Sequence, residues 1–116
     1  MKTIIKKAET FRRSLKFTDL KTGGILDLTG CAAYSQMRKS PGGDLLDTAV
    51  CSIDTGTGVI SALWSADMTA EWPVGDCGFD IWLVSDEEQK PIYTEMCSVV
   101  LPWTDMTPPD PEPDSL

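Results

Sequence analysis

No histidine occurs in the 116 residues, and the four cysteines, Cys31, Cys51, Cys77 and Cys97, include no C-x-x-C pair. The first absence removes the usual base that activates a serine or cysteine nucleophile. The two together leave a structural zinc only the poor option of four widely separated thiolates. No apolar run approaches the roughly 20 residues that span a bilayer. The opening "MKTIIKKAETFRRS" carries early lysines but neither an apolar h-region nor a small-residue cleavage site, so no secretory leader is expected. Synthesis in a cytoplasm follows, and there the cysteines are expected to be reduced thiols that pack as small apolar residues.

Cations are scarce as well. Ten basic side chains stand against eighteen acidic ones, a net charge of −8, which argues against nucleic acid as a partner because phosphate contacts need a basic surface. The glycines at 23–24, 42–43, 56 and 58 fall between apolar segments, where hairpins need positive φ, and none opens a long helix as a phosphate loop would. Carboxylates such as Asp80 and Glu95 could meet across strands, but eighteen acids produce such pairs by chance. Catalysis and a bound cofactor are therefore not expected.

What is present is β periodicity. In "FRRSLKFTD" Phe11, Leu15 and Phe17 share one face, Arg12, Ser14 and Lys16 the other, and Arg13 falls on the apolar side near the rim. Gly23-Gly24 and Thr29-Gly30 mark turns on either side of a short expected strand, Ile25 to Leu28. "CAAYSQMRKS" sets Cys31, Ala33, Ser35 and Met37 against Tyr34, Gln36 and Arg38. "DLLDTAVCSID" reads as a strand whose two faces are almost equally apolar. "VISALWS" alternates Ile60, Ala62 and Trp64; Ser65 can then cap a brief helix over "SADMTAEW", which Pro73 and Gly75 end. "GFDIWLVS" sets Phe79, Ile81 and Leu83 against Asp80 and Trp82, and "IYTEMCSVVLPW" is the longest strand.

Seven or eight short strands with turns between them and one helical turn predict an all-β antiparallel sandwich or barrel. At 116 residues the chain is one domain, large enough to bury roughly two thirds of its unfolded surface. The domain is expected over residues 1–103. Residues 104–116, with four prolines, four acids and almost nothing apolar, are expected to be an extended, disordered or polyproline II tail that folding can do without. Charge is also uneven, because seven of the ten basic residues lie between Lys2 and Lys21 while the tail is acidic. That is either solvation at both ends or a dipolar protomer whose basic edge meets an acidic neighbour.

The tryptophans are the best pointers to function. Trp64 alternates with core positions, and Trp72 is placed to close one end of the sandwich. Trp82 is out of phase with the inner face of its strand, and Trp103 follows the last strand. Exposed tryptophans concentrate binding energy. The interface candidates are therefore Trp82 and Trp103, joined by Arg12, Arg13 and Tyr93.

The order of these segments resembles a family of small tailed-bacteriophage virion proteins. The matching residues are Phe11, Asp27 to Gly30, Gln36 and Arg38, Thr69, Trp72, Gly75 and Phe79-Asp80-Ile81, within about residues 9 to 102. Phe79 stands where a tyrosine is more usual, and Met96 where a glycine often precedes the last valines. The resemblance implies an Ig-like β-sandwich, similar to the N-terminal domain of baseplate proteins that hold receptor-binding proteins. It implies that "TAEWPVG" carries the chain between the two sheets. The expected function is then a non-enzymatic adaptor or decoration domain of the tail, neck or head, made in the host bacterial cytoplasm and located in the virion. Its partners would be other phage structural proteins and copies of itself, with no nucleic acid and no membrane. The alternative is a carbohydrate- or host-surface-binding module that stacks sugars on Trp82, Trp103 and Tyr93. A thiol enzyme stands as a third possibility on the four cysteines alone.

Overall fold

The computed structural model describes residues 2–102; Trp103 and the 104–116 segment lie outside the described residues. Eight strands and one short helix follow in order: β1 Thr3–Lys6, β2 Phe11–Lys16, β3 Ala32–Arg38, β4 Leu45–Thr48, β5 Val50–Asp54, β6 Val59–Trp64, α1 Ala66–Ala70, β7 Gly75–Val84 and β8 Gln89–Val100. They make two sheets, one of five strands in the order β1-β8-β7-β3-β4 and one of three in the order β2-β6-β5. The expected all-β sandwich is the fold. One pair departs from an all-antiparallel arrangement, because β1 runs parallel to β8 with Thr3 opposite Cys97.

The alternation read from the sequence decides which side chains enter the core. Phe11, Ile60 and Trp64 come from the smaller sheet and Met37, Phe79, Ile81, Cys97 and Val99 from the larger, and all are buried. Three aromatic rings lock the layers together. Phe11 stacks on Trp64 with centroids 5.7 Å apart, and Phe79 reaches across to meet Trp64 edge-on at 4.9 Å. Each such contact contributes roughly 0.5–1.5 kcal/mol beyond the area it buries.

The segment whose two faces looked alike resolves into two strands. β4 pairs with β3 in the larger sheet and β5 pairs with β6 in the smaller, with Ala49 at the corner, its amide bonded to the Ser35 carbonyl at 2.9 Å. A chain that changes sheets turns different faces inward before and after the bend, so a single alternation pattern cannot describe it. The strand expected over residues 25–28 does not form. A single bridge joins Ile25 to Thr18, and Leu28 anchors this loop by burying its side chain. Within the loop the Asp27 carboxylate accepts the Thr29 amide at 3.0 Å, a side-chain-closed turn that competes with strand pairing.

The helix forms where its capping signal lies. Ser65 is the N-cap, its hydroxyl accepting the Met68 amide at 3.3 Å. Thr69, fully buried, donates its hydroxyl to the Glu9 carbonyl at 2.7 Å. Trp72 is 1% exposed and donates its indole N–H to Asp47 Oδ2 at 2.6 Å, while Trp64 donates to the Asp47 carbonyl at 3.1 Å. α1 thus carries the chain from β6 in one sheet to β7 in the other.

Candidate binding face

The outer face of the larger sheet is set by the register of β3, β7 and β8. Tyr34 lies opposite Trp82, Gln36 opposite Asp80, and Arg38 opposite Gly78. On the far side Asp80 meets Thr94, Gly78 meets Met96, and Trp82 meets Pro91. The result is three parallel rows: Tyr34–Trp82–Pro91, Gln36–Asp80–Thr94 and Arg38–Gly78–Met96. A bulge between Ile81 and Trp82 leaves Ile92 without an opposite number. It lets Pro91 stand beside Trp82 while Tyr93, two residues on, still turns inward.

This face is large and apolar at both ends. Trp82 is 38% exposed, Tyr34 56% and Met96 60%. An open groove of about 960 Å³ runs over it, walled at one end by Lys39 to Gly42. Its floor is low at Gly78, where an added Cβ would come within 3.1 Å of the Glu95 carbonyl oxygen. Between the apolar rows, Thr94 donates its hydroxyl to Asp80 Oδ1. Arg38 donates to the Gly43 carbonyl at 2.8 Å and to Gln36 Oε1 at 2.7 Å. Among the described residues neither Arg38 nor Lys39 forms an ion pair. A second depression, of about 600 Å³ beside β5 and β6, is lined by Ser52, Asp54, Thr57 and Ser61 among others and offers neither an aromatic face nor a cation.

The interface candidates do not gather on one surface. Trp82 is on the face just described, whereas Arg12 points to solvent from the smaller sheet. Arg13 and Tyr93 turn between the layers. Arg13 Nε donates to Glu95 Oε1 at 2.7 Å, and the Tyr93 hydroxyl donates to the same oxygen at 2.6 Å. Thr3 also donates its hydroxyl to Glu95. Trp103 lies outside the described residues. The residue that completes the face is Tyr34. Its outward phase was readable, but its position beside Trp82 depends on a strand register that no local pattern encodes.

Asp80 and Glu95 lie on opposite faces of the larger sheet, so they do not form an acid pair. Cys77 and Cys97 are opposite each other on β7 and β8, both buried and both free thiols. Among the described residues no three cysteine, aspartate or glutamate side chains cluster to hold a metal ion. In comparisons with known proteins, no family model and no curated protein matches the chain.

Proposed function

We propose that this chain is a non-enzymatic docking domain, an adaptor or decoration protein of a tailed-phage tail, neck or head. In this reading the outer face of the larger sheet is the surface that meets its structural partner or a second copy. The exposed Tyr34–Trp82 pair carries the proposal, because a small domain gains nothing by leaving two large aromatics side by side in water unless something covers them. The ordered segments that resemble the phage family support the virion setting, and a two-sheet sandwich accords with the fold expected of that family. The test is mass spectrometry of purified virions from the phage whose genome encodes the chain. Stoichiometric peptides of the chain support the reading, and their absence from intact particles overturns it.

A carbohydrate-binding role is favoured by one observation of its own. The aromatic row lies beside Gln36, Asp80 and Thr94, which pairs stacking surfaces with hydrogen-bonding groups as sugar recognition requires. A glycan array giving a specific signal that Trp82→Ala abolishes would favour this role over the adaptor.

A further inference from the structure

We propose that the outer face of the larger sheet docks on a second copy of this chain, forming a two-fold, face-to-face dimer. Trp82 of each copy seats over Gly78 of the other, and the two β7 strands run antiparallel. This rests on the reading of that face as the docking surface, but not on the virion setting.

The face is complementary to itself. Trp82 and Gly78 lie two residues to either side of Asp80 on β7. A two-fold axis crossing the strands at Asp80 therefore lays the Tyr34–Trp82–Pro91 row of one copy on the Arg38–Gly78–Met96 row of the other. Each residue then meets a suitable neighbour, twice over, as an isologous contact requires. The exposed indole of Trp82 enters the groove where the floor is low, at the position with no side chain. The Tyr34 ring meets the Arg38 guanidinium, a cation over an aromatic face. Pro91 meets the Met96 thioether, which adapts to an irregular partner. An axis along the strands would instead set Trp82 on Trp82 and Gly78 on Gly78, knob on knob and hole on hole.

The charges select the same axis. Lys6 is opposite Val100, which follows Thr94 by six residues, and Asp86 follows Asp80 by six in the other direction. The register turns Lys6 and Arg38 outward at one end, with Lys39 beside them. Asp76 at that end is paired with Lys2 at 2.6 Å, and Glu9 is turned onto the Lys6 amide at 2.6 Å. The opposite end is the hairpin tip of Asp86, Glu87 and Glu88, of which Glu88 is paired with Lys90 at 3.3 Å. Antiparallel docking brings the cationic end of each copy to the acidic tip of the other, which fixes the register of the pair. The unfavourable contact lies on the axis, where Asp80 meets Asp80.

The area is sufficient. Five strands at about 4.8 Å spacing are roughly 24 Å wide, and the eight residues from Asp76 to Val84 span about 27 Å. The face thus covers about 650 Å² per copy, or roughly 1,300 Å² in all, within the range of specific interfaces.

The experiment is sedimentation velocity of the full chain over a dilution series starting near ~200 µM. The native chain should form dimers that dissociate on dilution. Trp82→Ala should raise the dissociation constant roughly tenfold or more, and Asp80→Asn should lower it several-fold. Lys6→Glu with Lys39→Glu in one chain, and Asp86→Lys with Glu87→Lys in another, should each abolish the dimer. An equimolar mixture of these two chains should restore it, because each supplies the end that the other has lost. A native chain that stays monomeric throughout overturns the dimer and leaves the virion reading to its own test on purified particles. A dimer indifferent to Trp82→Ala, or a mixture no better than its components, means that copies meet through another surface and also overturns it.

Discussion

Arg13 of β2 and Glu95 of β8 reach toward each other from different sheets, Arg13 Nε donating to Glu95 Oε1 at 2.7 Å and Nη2 to Oε2 at 2.5 Å. The guanidinium also lies 5.4 Å from the centre of the Phe11 ring. A charged residue in an apolar phase of its strand is thus matched by a carboxylate from the opposing layer, joining the sheets by a forked contact at one side of the aromatic core.

Glu95→Gln should cost about 1–3 kcal/mol at neutral pH, since it leaves a partly buried guanidinium without its counter-charge. Burial pushes the Glu95 carboxyl up, but the hydrogen bonds from Arg13, Thr3 and Tyr93 and the charge of Arg13 outweigh it and hold the group below the ordinary range. The stabilisation is therefore complete above the ordinary glutamate value, near ~4.3, and is lost as pH falls through the lowered folded-state value. Urea midpoints of the native chain and Glu95→Gln should converge in acid. A gap that is constant with pH would mean that the charge is not the source.

Trp82 and Trp72 should respond oppositely to truncation. Trp72→Ala should remove about 3–5 kcal/mol of stability, since the ring is buried and its loss strands the Asp47 carboxylate. Trp82→Ala should cost under about 1.5 kcal/mol and weaken assembly or docking instead. Thermal melts and sedimentation of both variants separate the two effects. Severe destabilisation by Trp82→Ala with unchanged sedimentation would make it a core residue.

Gly58 is the glycine least open to change. Its φ is +73°, and an added Cβ would lie 2.8 Å from Ile25 Cγ2 and 2.9 Å from the Phe17 carbonyl oxygen. Gly58→Ala should therefore cost about 2 kcal/mol or more, combining backbone strain with a clash against the loop that β6 supports. Chemical denaturation checks this, and a neutral effect would mean that the loop moves aside freely.

The four thiols should differ in reactivity. Cys31 is partly exposed and should alkylate first, while burial pushes the Cys51 thiol up and slows it. Cys77 and Cys97 should react only through unfolding; the neighbouring Cys77 sulfur and burial push the Cys97 thiol up. Mass spectrometry of native protein should find Cys31 modified early, and protein denatured without reductant should carry four labels. Fewer than four would reveal a disulfide.

The inner faces of β2, β3, β6 and β7 were legible because each strand stays in one sheet and keeps one phase. The Ser65 cap and the Pro73 breaker likewise located α1 to within two residues. Legibility failed where tertiary geometry overrides local pattern: at Ala49, where the chain changes layers, and at residues 25–28, where the Asp27 turn replaces a ladder. Trp82 was readable as outward-facing. Its neighbours Tyr34 and Pro91, and Met96 two rows away on the same face, were not readable as a group, because they are placed by register and by the bulge at Ile92.

The pairing of Thr3–Lys6 with Cys97–Val100 has a temporal meaning. Of the described strands β1 is made before the other seven, and its neighbour in the larger sheet, β8, is made after them. Synthesis at about 5–20 residues per second therefore leaves β1 waiting several seconds for β8. Until then the inner faces of β7 and β3 have no complete sheet around them, and long loop closures must precede the reward of pairing. Completion of the larger sheet consequently waits for β8, and during that interval the chain is most open to mispairing with its neighbours on the polysome.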